Sequence, residues 1–314
     1  MDTATPTPPA RSQAVGVALV ASGAVSVQFG AAVAVTLFRD IGAAGAVTAR
    51  LVIAMLLLVV ATLVGRWLHR GRPARRHTRG DWLTAAAFGV ALAAMNLTFY
   101  ESIARIPLGV AVAIELLGPL GLAAASSRRR LDVVWVLLAV AGVATLGLGE
   151  SRGGAPVTAA GVGFGLAAGV FWAVYIVLSA RTGARFERTD GLTAAMVVAA
   201  VLVTPVGLAG AGTALFTGHA LWRGAVIALL SSGLPYSLDL LALRRIPPGM
   251  FGLLMSLEPA IASLAALVVV GQVLSAWQWA GLVAVVVACA GVTVFAPARR
   301  RADPVDAPAA VDAV

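Results

Sequence analysis

Residues 105–119 read RIPLGVAVAIELLGP, and residues 245–259 read RIPPGMFGLLMSLEP. The pentapeptide Arg-Ile-Pro-x-Gly recurs 140 positions further on, and Pro119 meets Pro259 at the same offset. Each copy closes one long apolar run and opens the next. A match held in register by a second proline points to an internal duplication.

Working outward from the two copies, the chain reads as a series of apolar runs near 14–36, 44–65, 82–101, 108–126, 132–149, 157–180, 191–210, 222–243, 249–270 and 275–296. A spanning helix needs roughly 20 apolar residues. The composition agrees: 60% of residues are hydrophobic and 12% charged, against about 25% charged in a soluble domain. No soluble fold of 314 residues hides that much apolar surface, whereas lipid accepts it. The expectation is an all-α membrane protein of ten transmembrane helices.

All 23 basic residues are arginines, and their placement tests the count. With the N-terminus in the cytoplasm, Arg11, Arg66, Arg70, Arg72, Arg75, Arg76, Arg79, Arg128 to Arg130, Arg181, Arg185, Arg188, Arg244, Arg245 and Arg299 to Arg301 fall inside. Only Arg39, Arg105, Arg152 and Arg223 fall outside, and Arg50 lies within a span. This asymmetry is the positive-inside pattern, and one miscounted span near the middle would erase it. It predicts a multi-pass protein of the cytoplasmic membrane with both termini cytoplasmic. Five spans per half is an odd number, so the halves, 14–149 and 157–296, are expected to thread the membrane in opposite senses. Such inverted repeats mark transporters that work by alternating access.

Several other classes find no support. The net charge of +9 follows the loops, as lipid topology requires, and indicates no nucleic-acid partner. Cys289 is single and His69, His77 and His219 have no ligand spacing, so neither a disulfide nor a metal site is expected. No nucleotide loop, catalytic motif or cofactor fingerprint is present, and neither catalytic residues nor cofactors are expected. Residues 1–13 and 297–314 are Pro-, Thr-, Ala- or Asp-rich and read as disordered cytoplasmic ends. The start lacks the compact basic region of a cleaved signal peptide.

Polar groups within the spans locate the candidate site. An ionisable residue there costs roughly 2.5–3.5 kcal/mol on insertion scales, so it is a functional candidate by default. They are Arg50, Glu101, Glu115, Asp239 and Glu258; Glu101 sits near a helix end and is expected to face water. Glu115 precedes Gly118-Pro119 by a turn and Glu258 directly precedes Pro259. Proline removes a helix donor and disfavours helical geometry before it. Pro119 and Pro259 are therefore expected to break their helices, and interrupted spans in matching places point to a substrate site. The bland alternative is a buried Glu paired with Arg50. Gln28, Asn96, Tyr100, Trp172, Tyr175, Ser231, Ser232 and Tyr236 complete the candidate wall. Tyr100, near a helix end, also suits an interfacial aromatic belt, more so than Tyr236. Gly161, Gly165 and Gly169 recur every four residues, a pattern for close helix contact. Depth in the membrane makes Asp239 or Glu258 the candidate to couple export to proton entry.

The stretches NLTFYESIARIPLGVAVAIELLGPL (96–120), SSRRRLDVVWVLLAVAG (126–142) and LPYSLDLLALRRIPPGMFGLLMSLEPAIASL (234–264), with Arg50 in GAVTARLVIA and Trp172 in AGVFWAVYIVLS, resemble EamA-type members of the drug/metabolite transporter superfamily. Within it the similarity is nearest to threonine/homoserine exporters, over about 14–296. The resemblance implies two inverted EamA repeats around a central cavity and outward secondary transport of small amino acids by antiport. It places Glu115 and Glu258 at the family's GPL- and EPA-associated glutamates. Asp239 stands where the family usually has Glu, and Gln272 where it usually has a Glu after Gly. The competing expectations are a carrier of another small metabolite or cationic drug and, from a different class, a membrane enzyme or scaffold. A zwitterion needs a positive partner, and Arg50 is the deep candidate; a cation needs only the acids.

Overall fold

The computed structural model describes residues 10–68, 77–125, 130–148, 156–186, 189–243, 245–246 and 248–294. The tails at 1–9 and 297–314, and the arginines of 70–76, 128–129, 188, 244 and 299–301, lie outside the described residues.

Within them the chain is helical apart from short turns and connections, without a strand. Helix α1 covers Ala10–Leu68, starting ahead of the expected boundary. A straight helix of 59 residues would run about 88 Å, nearly three times the hydrocarbon thickness of a bilayer. It does not run straight: Gly42 adopts φ 68, ψ 174. That left-handed backbone is open to glycine and strained for other residues. The connection expected around residues 37–43 is therefore a one-residue hinge.

Eleven further helices follow: α2 Arg79–Ile103, α3 Leu108–Glu115, α4 Leu117–Ala125, α5 Arg130–Leu148, α6 Ala159–Arg185, α7 Asp190–Ala211, α8 Gly218–Ala228, α9 Leu234–Leu243, α10 Pro248–Met255, α11 Glu258–Val270 and α12 Ala276–Val294. Among the described residues, seven helical stretches are long and apolar enough to cross a membrane: one in α1, α2, α3 with α4, α6, α7 with the turn after it, α10 with α11, and α12. Val133–Leu146 of α5 is a shorter apolar helix.

The packing is inside-out relative to a soluble protein. Alanine dominates the core, from Ala31, Ala32 and Ala34 to Ala262, Ala265 and Ala266. Large apolar side chains stand on the outside: Leu56, Val60 and Leu63 on α1, Leu137 on α5, Val201 on α7, Val268 on α11. Small residues let helix backbones approach, and lipid is as good a solvent for Leu and Val as a protein core. In water the same surface would be an aggregation site. Exposed Trp67, Trp82 and Trp277 sit near helix ends, where indole rings favour the membrane interface. The chain is a multi-pass helical membrane protein.

The two Arg-Ile-Pro segments fold alike. Ile106 N–H donates to Ser102 O and Ile246 N–H to Ala242 O, both at 3.0 Å. Arg105 Nη1 folds back on Glu101 O at 2.6 Å, and Arg245 Nη1 on Leu241 O at 2.7 Å. Ile106 lies over Gly161 as Ile246 lies over Gly16, each leaving no room for a Cβ. Arg105 also pairs with the Glu101 carboxylate, which gives that residue its surface role.

Gln272 has work of its own. Its Oε1 accepts the N–H of Leu108, the first residue of α3, at 3.1 Å. The α3 N-cap is Pro107, which offers no side-chain cap. Loss of a helix cap costs about 0.5–2 kcal/mol. Gln272→Ala is expected to lower the melting temperature in detergent, and Gln272→Glu to restore it, because a carboxylate suits a helix N-terminus. Equal melting of all three proteins would show the cap to be idle.

Candidate functional site

Prolines set the site. Helix α3 ends at Glu115 and α4 starts at Leu117, two residues before Pro119; α10 ends at Met255 and α11 starts at Glu258, beside Pro259. Between α8 and α9 the chain widens into a π turn, Leu229–Gly233, just ahead of Pro235. A proline has no N–H to give the carbonyl four residues back, and its ring crowds that carbonyl. The residues four back are Glu115, Met255 and Ser231. All three line one cavity of about 210 Å³.

The rest of the wall comes from helices crossing at those breaks. The first half of α1 contributes Val27, Gln28 and Ala31, and its second half Arg50. Helix α2 supplies Met95, Asn96 and Phe99, and α6 supplies Trp172 and Tyr175. Val112 precedes Glu115 by a turn, and Pro235 and Glu258 close the ring. Glu115 is 8% exposed and Glu258 6%. One guanidinium and two carboxylates thus share a small compartment.

Close backbone packing holds this geometry. Gly169 of α6 lies against the carbonyl of Glu115, and Gly118 against Gly169 itself. Gly161 and Gly165 meet Ile106 and Ile114 on the same helix face. The glycine stripe of α6 is therefore the seat for α3, α4 and their break. On the other side Gly109 faces Ser263 and the carbonyl of Pro259, so α3 and α11 cross closely.

Arg50 is held from behind. Its Nη1 donates to the Tyr100 hydroxyl at 3.3 Å, and its Nη2 to the carbonyl of Ser231 at 3.4 Å. The second bond serves the carbonyl that Pro235 cannot serve. Both contacts are at the long end for N–H···O bonds. Tyr100 itself is 0% exposed. The interfacial belt suggested by its place near a helix end is thus corrected: packing of α2 into the bundle puts the ring behind Arg50, beside Phe38. It supports the cavity without lining it.

Of the other expected residues, Gln28, Asn96, Trp172, Tyr175 and Ser231 are brought together on the wall. Asn96 ties its Nδ2 to Leu92 O at 2.9 Å, and Tyr175 packs on Phe88. The side chains of Tyr236 and Asp239 lie outside the described residues, although helix α9 carries both. Sequence reasoning missed Val27, Ala31, Met95, Phe99, Val112, Pro235 and Met255. A signal existed: Met95 and Phe99 flank Asn96 at helical spacing, and Met255 stands four residues before Pro259. Their apolar type gave no reason to single them out.

Comparison with known proteins fits these features. Residues 159–294 match the EamA-like transporter family. The Threonine/homoserine exporter RhtA of Salmonella typhimurium (strain SL1344) is 38% identical over 269 residues, covering 85% of this chain and 88% of the relative. The protein of the same description from Escherichia coli (strain K12) matches at the same identity and coverage. A solved crystal structure overlays with a TM-score of 0.60 at 18% identity, over 90% of this chain and 99% of the other, a likeness of fold alone. With its apolar membrane-length helices, their interruption at repeated prolines and its extensive identity to these exporters, the chain belongs to the EamA-like transporter family.

Proposed function

We propose that this protein is a secondary transporter that exports small amino acids of the threonine/homoserine kind across the cytoplasmic membrane. The observation that carries this is one cavity with Arg50 on its wall together with Glu115 and Glu258. An amino acid is a zwitterion: Arg50 matches its carboxylate, and an acid at a helix break matches its ammonium. Helix carbonyls released by Pro119 and Pro259 add ligands for the ammonium. The identity to exporters over most of the chain supports the same substrate class and direction.

The architecture we infer is ten spans in two inverted five-helix repeats, 14–149 and 157–296, with both termini cytoplasmic. The matching geometry at Arg105-Ile106 and Arg245-Ile246 supports the duplication. The Gly42 hinge supports counting α1 as two spans. Among the described residues, two acids and one base leave the cavity one negative charge in excess. One bound proton balances it, so inward proton movement through Glu258 or Asp239 is the coupling we favour.

A drug-sized cation is disfavoured on two counts. The cavity of about 210 Å³ is below the roughly 300–1,000 Å³ of drug-sized sites, and Arg50 would repel a cation. Counterflow in proteoliposomes with labelled threonine, homoserine and a panel of small cations tests the function. Exchange of the two amino acids is expected. Exchange of cations alone would replace this function with the cationic one.

A further inference from the structure

Among the described residues, two buried polar groups on the cavity wall have no hydrogen-bond partner: Gln28 Oε1 and Ser231 Oγ. Their residues are 3% and 5% exposed. Buried polar atoms are nearly always paired, so each exception asks for an explanation. Four other buried serines, all outside the π turn, follow the rule. Ser26, Ser102, Ser256 and Ser263 each donate to a backbone carbonyl, at 2.6–2.8 Å. Ser231 differs because it sits in the π turn, where the carbonyls of the preceding turn are out of register. Such turns cost helix stability and are frequent at functional sites.

The two groups belong to neighbouring surfaces. Ser26 Oγ bonds Leu230 O, and Gly30 leaves no room for a Cβ before Ser231 Oγ, so the α1 turn bearing Gln28 is clamped to the π turn bearing Ser231. Ser231 also holds Arg50 through its carbonyl. We infer that Gln28 and Ser231 form a hydroxyl-recognising subsite beside the Arg50 anchor, which makes the transporter select short hydroxy amino acids over apolar ones of equal size. A substrate hydroxyl is one donor and one acceptor. It gives its proton to Gln28 Oε1 and accepts from Ser231 Oγ–H, which satisfies both wall groups at once. A methyl in the same place leaves both unpaired. A site built for a hydroxyl rejects the analogue without it far more strongly than an apolar pocket rejects an extra methylene.

This inference rests on the amino-acid function proposed above. Its test is counterflow by the full chain in proteoliposomes with threonine against valine, which replaces the hydroxyl by a methyl. The wild type is expected to favour threonine at least roughly tenfold, the effect of leaving buried polar groups unpaired. Ser231→Ala and Gln28→Met are expected to bring the ratio towards one, by loss of threonine exchange while valine exchange persists. Persisting valine exchange also shows that the variants fold. Should Gln28→Met fail to reach the membrane, Ser231→Ala carries the test, since it removes a single oxygen. A wild type that treats the two alike, or variants that lose both substrates in equal proportion, would overturn the subsite while amino-acid exchange itself stands. A wild type that exchanges neither would overturn the subsite together with the function beneath it, and the two failures are told apart by the wild type alone.

Discussion

Arg50→Ala will reduce threonine exchange to background, and Arg50→Lys will lower it roughly tenfold or more. The guanidinium is anchored by Tyr100 and the Ser231 carbonyl in a compartment it shares with two buried carboxylates. Breaking a buried charge pair by removing one partner costs about 3–5 kcal/mol, because the other charge stays unpaired. The substrate carboxylate meets that condition when Arg50 is gone. Lysine keeps the charge but loses the planar fork, which binds a carboxylate through two parallel bonds and still reaches the protein behind it. The same variants separate the two substrate classes. A cation carrier would gain from losing a positive wall group, so faster cation exchange by Arg50→Ala would sink the zwitterion site. Normal threonine exchange by Arg50→Ala would do so as well. Thermal melting of the variants in detergent distinguishes lost binding from lost fold.

Gly118→Ala will be the most damaging single-methyl change in the helices around the site. Its Cβ would lie 1.8 Å from the carbonyl oxygen of Gly169 and 2.3 Å from the carbonyl carbon. Both neighbours are backbone, so no side chain can rotate away. Helix α4 must lift off α6, which disturbs the helix break at Glu115 and the cavity with it. Overpacking costs about 1–3 kcal/mol and occasionally more, and contact with rigid backbone puts this case at or beyond the top of that range. Gly121→Ala in α4 and Gly163→Ala in α6 are matched controls, since nothing lies within 4 Å of either added methyl. The expected result is a clear drop in folded yield and melting temperature for Gly118→Ala, with both controls at wild-type values. Wild-type melting and exchange by Gly118→Ala would show that α4 and α6 do not pack as described.

Much of this protein is legible from its residues in order. The apolar runs announce the helices because lipid demands long, internally bonded segments, and every residue in a run bears on that demand. Pro119 and Pro259 could be read as breaks because a missing N–H is a local fact. The glycine stripe 161–165–169 could be read as a contact face from its spacing, and it is one. Pro235 carried the same kind of signal and was not used. Its missing N–H explains the π turn, the released Ser231 carbonyl and the bond from Arg50.

Tyr100 marks the opposite limit. Near a helix end its type suits an interface, yet it is buried against Arg50, which is distant in sequence. Glu101, its neighbour, does face outward and pairs with Arg105. One residue along a helix turns the side chain by about 100°, and only the placement of the other helices says which direction is inward.

By itself the sequence determined that the chain lies in a membrane, where its helices run, and where proline must interrupt them, for these follow from the solvent and from bonds between near neighbours. The tertiary structure decided which polar groups share a cavity and which of them are held by others. Those are distances between residues as far as 204 positions apart, set by how glycine and alanine faces let helices close on one another, and no local pattern encodes them.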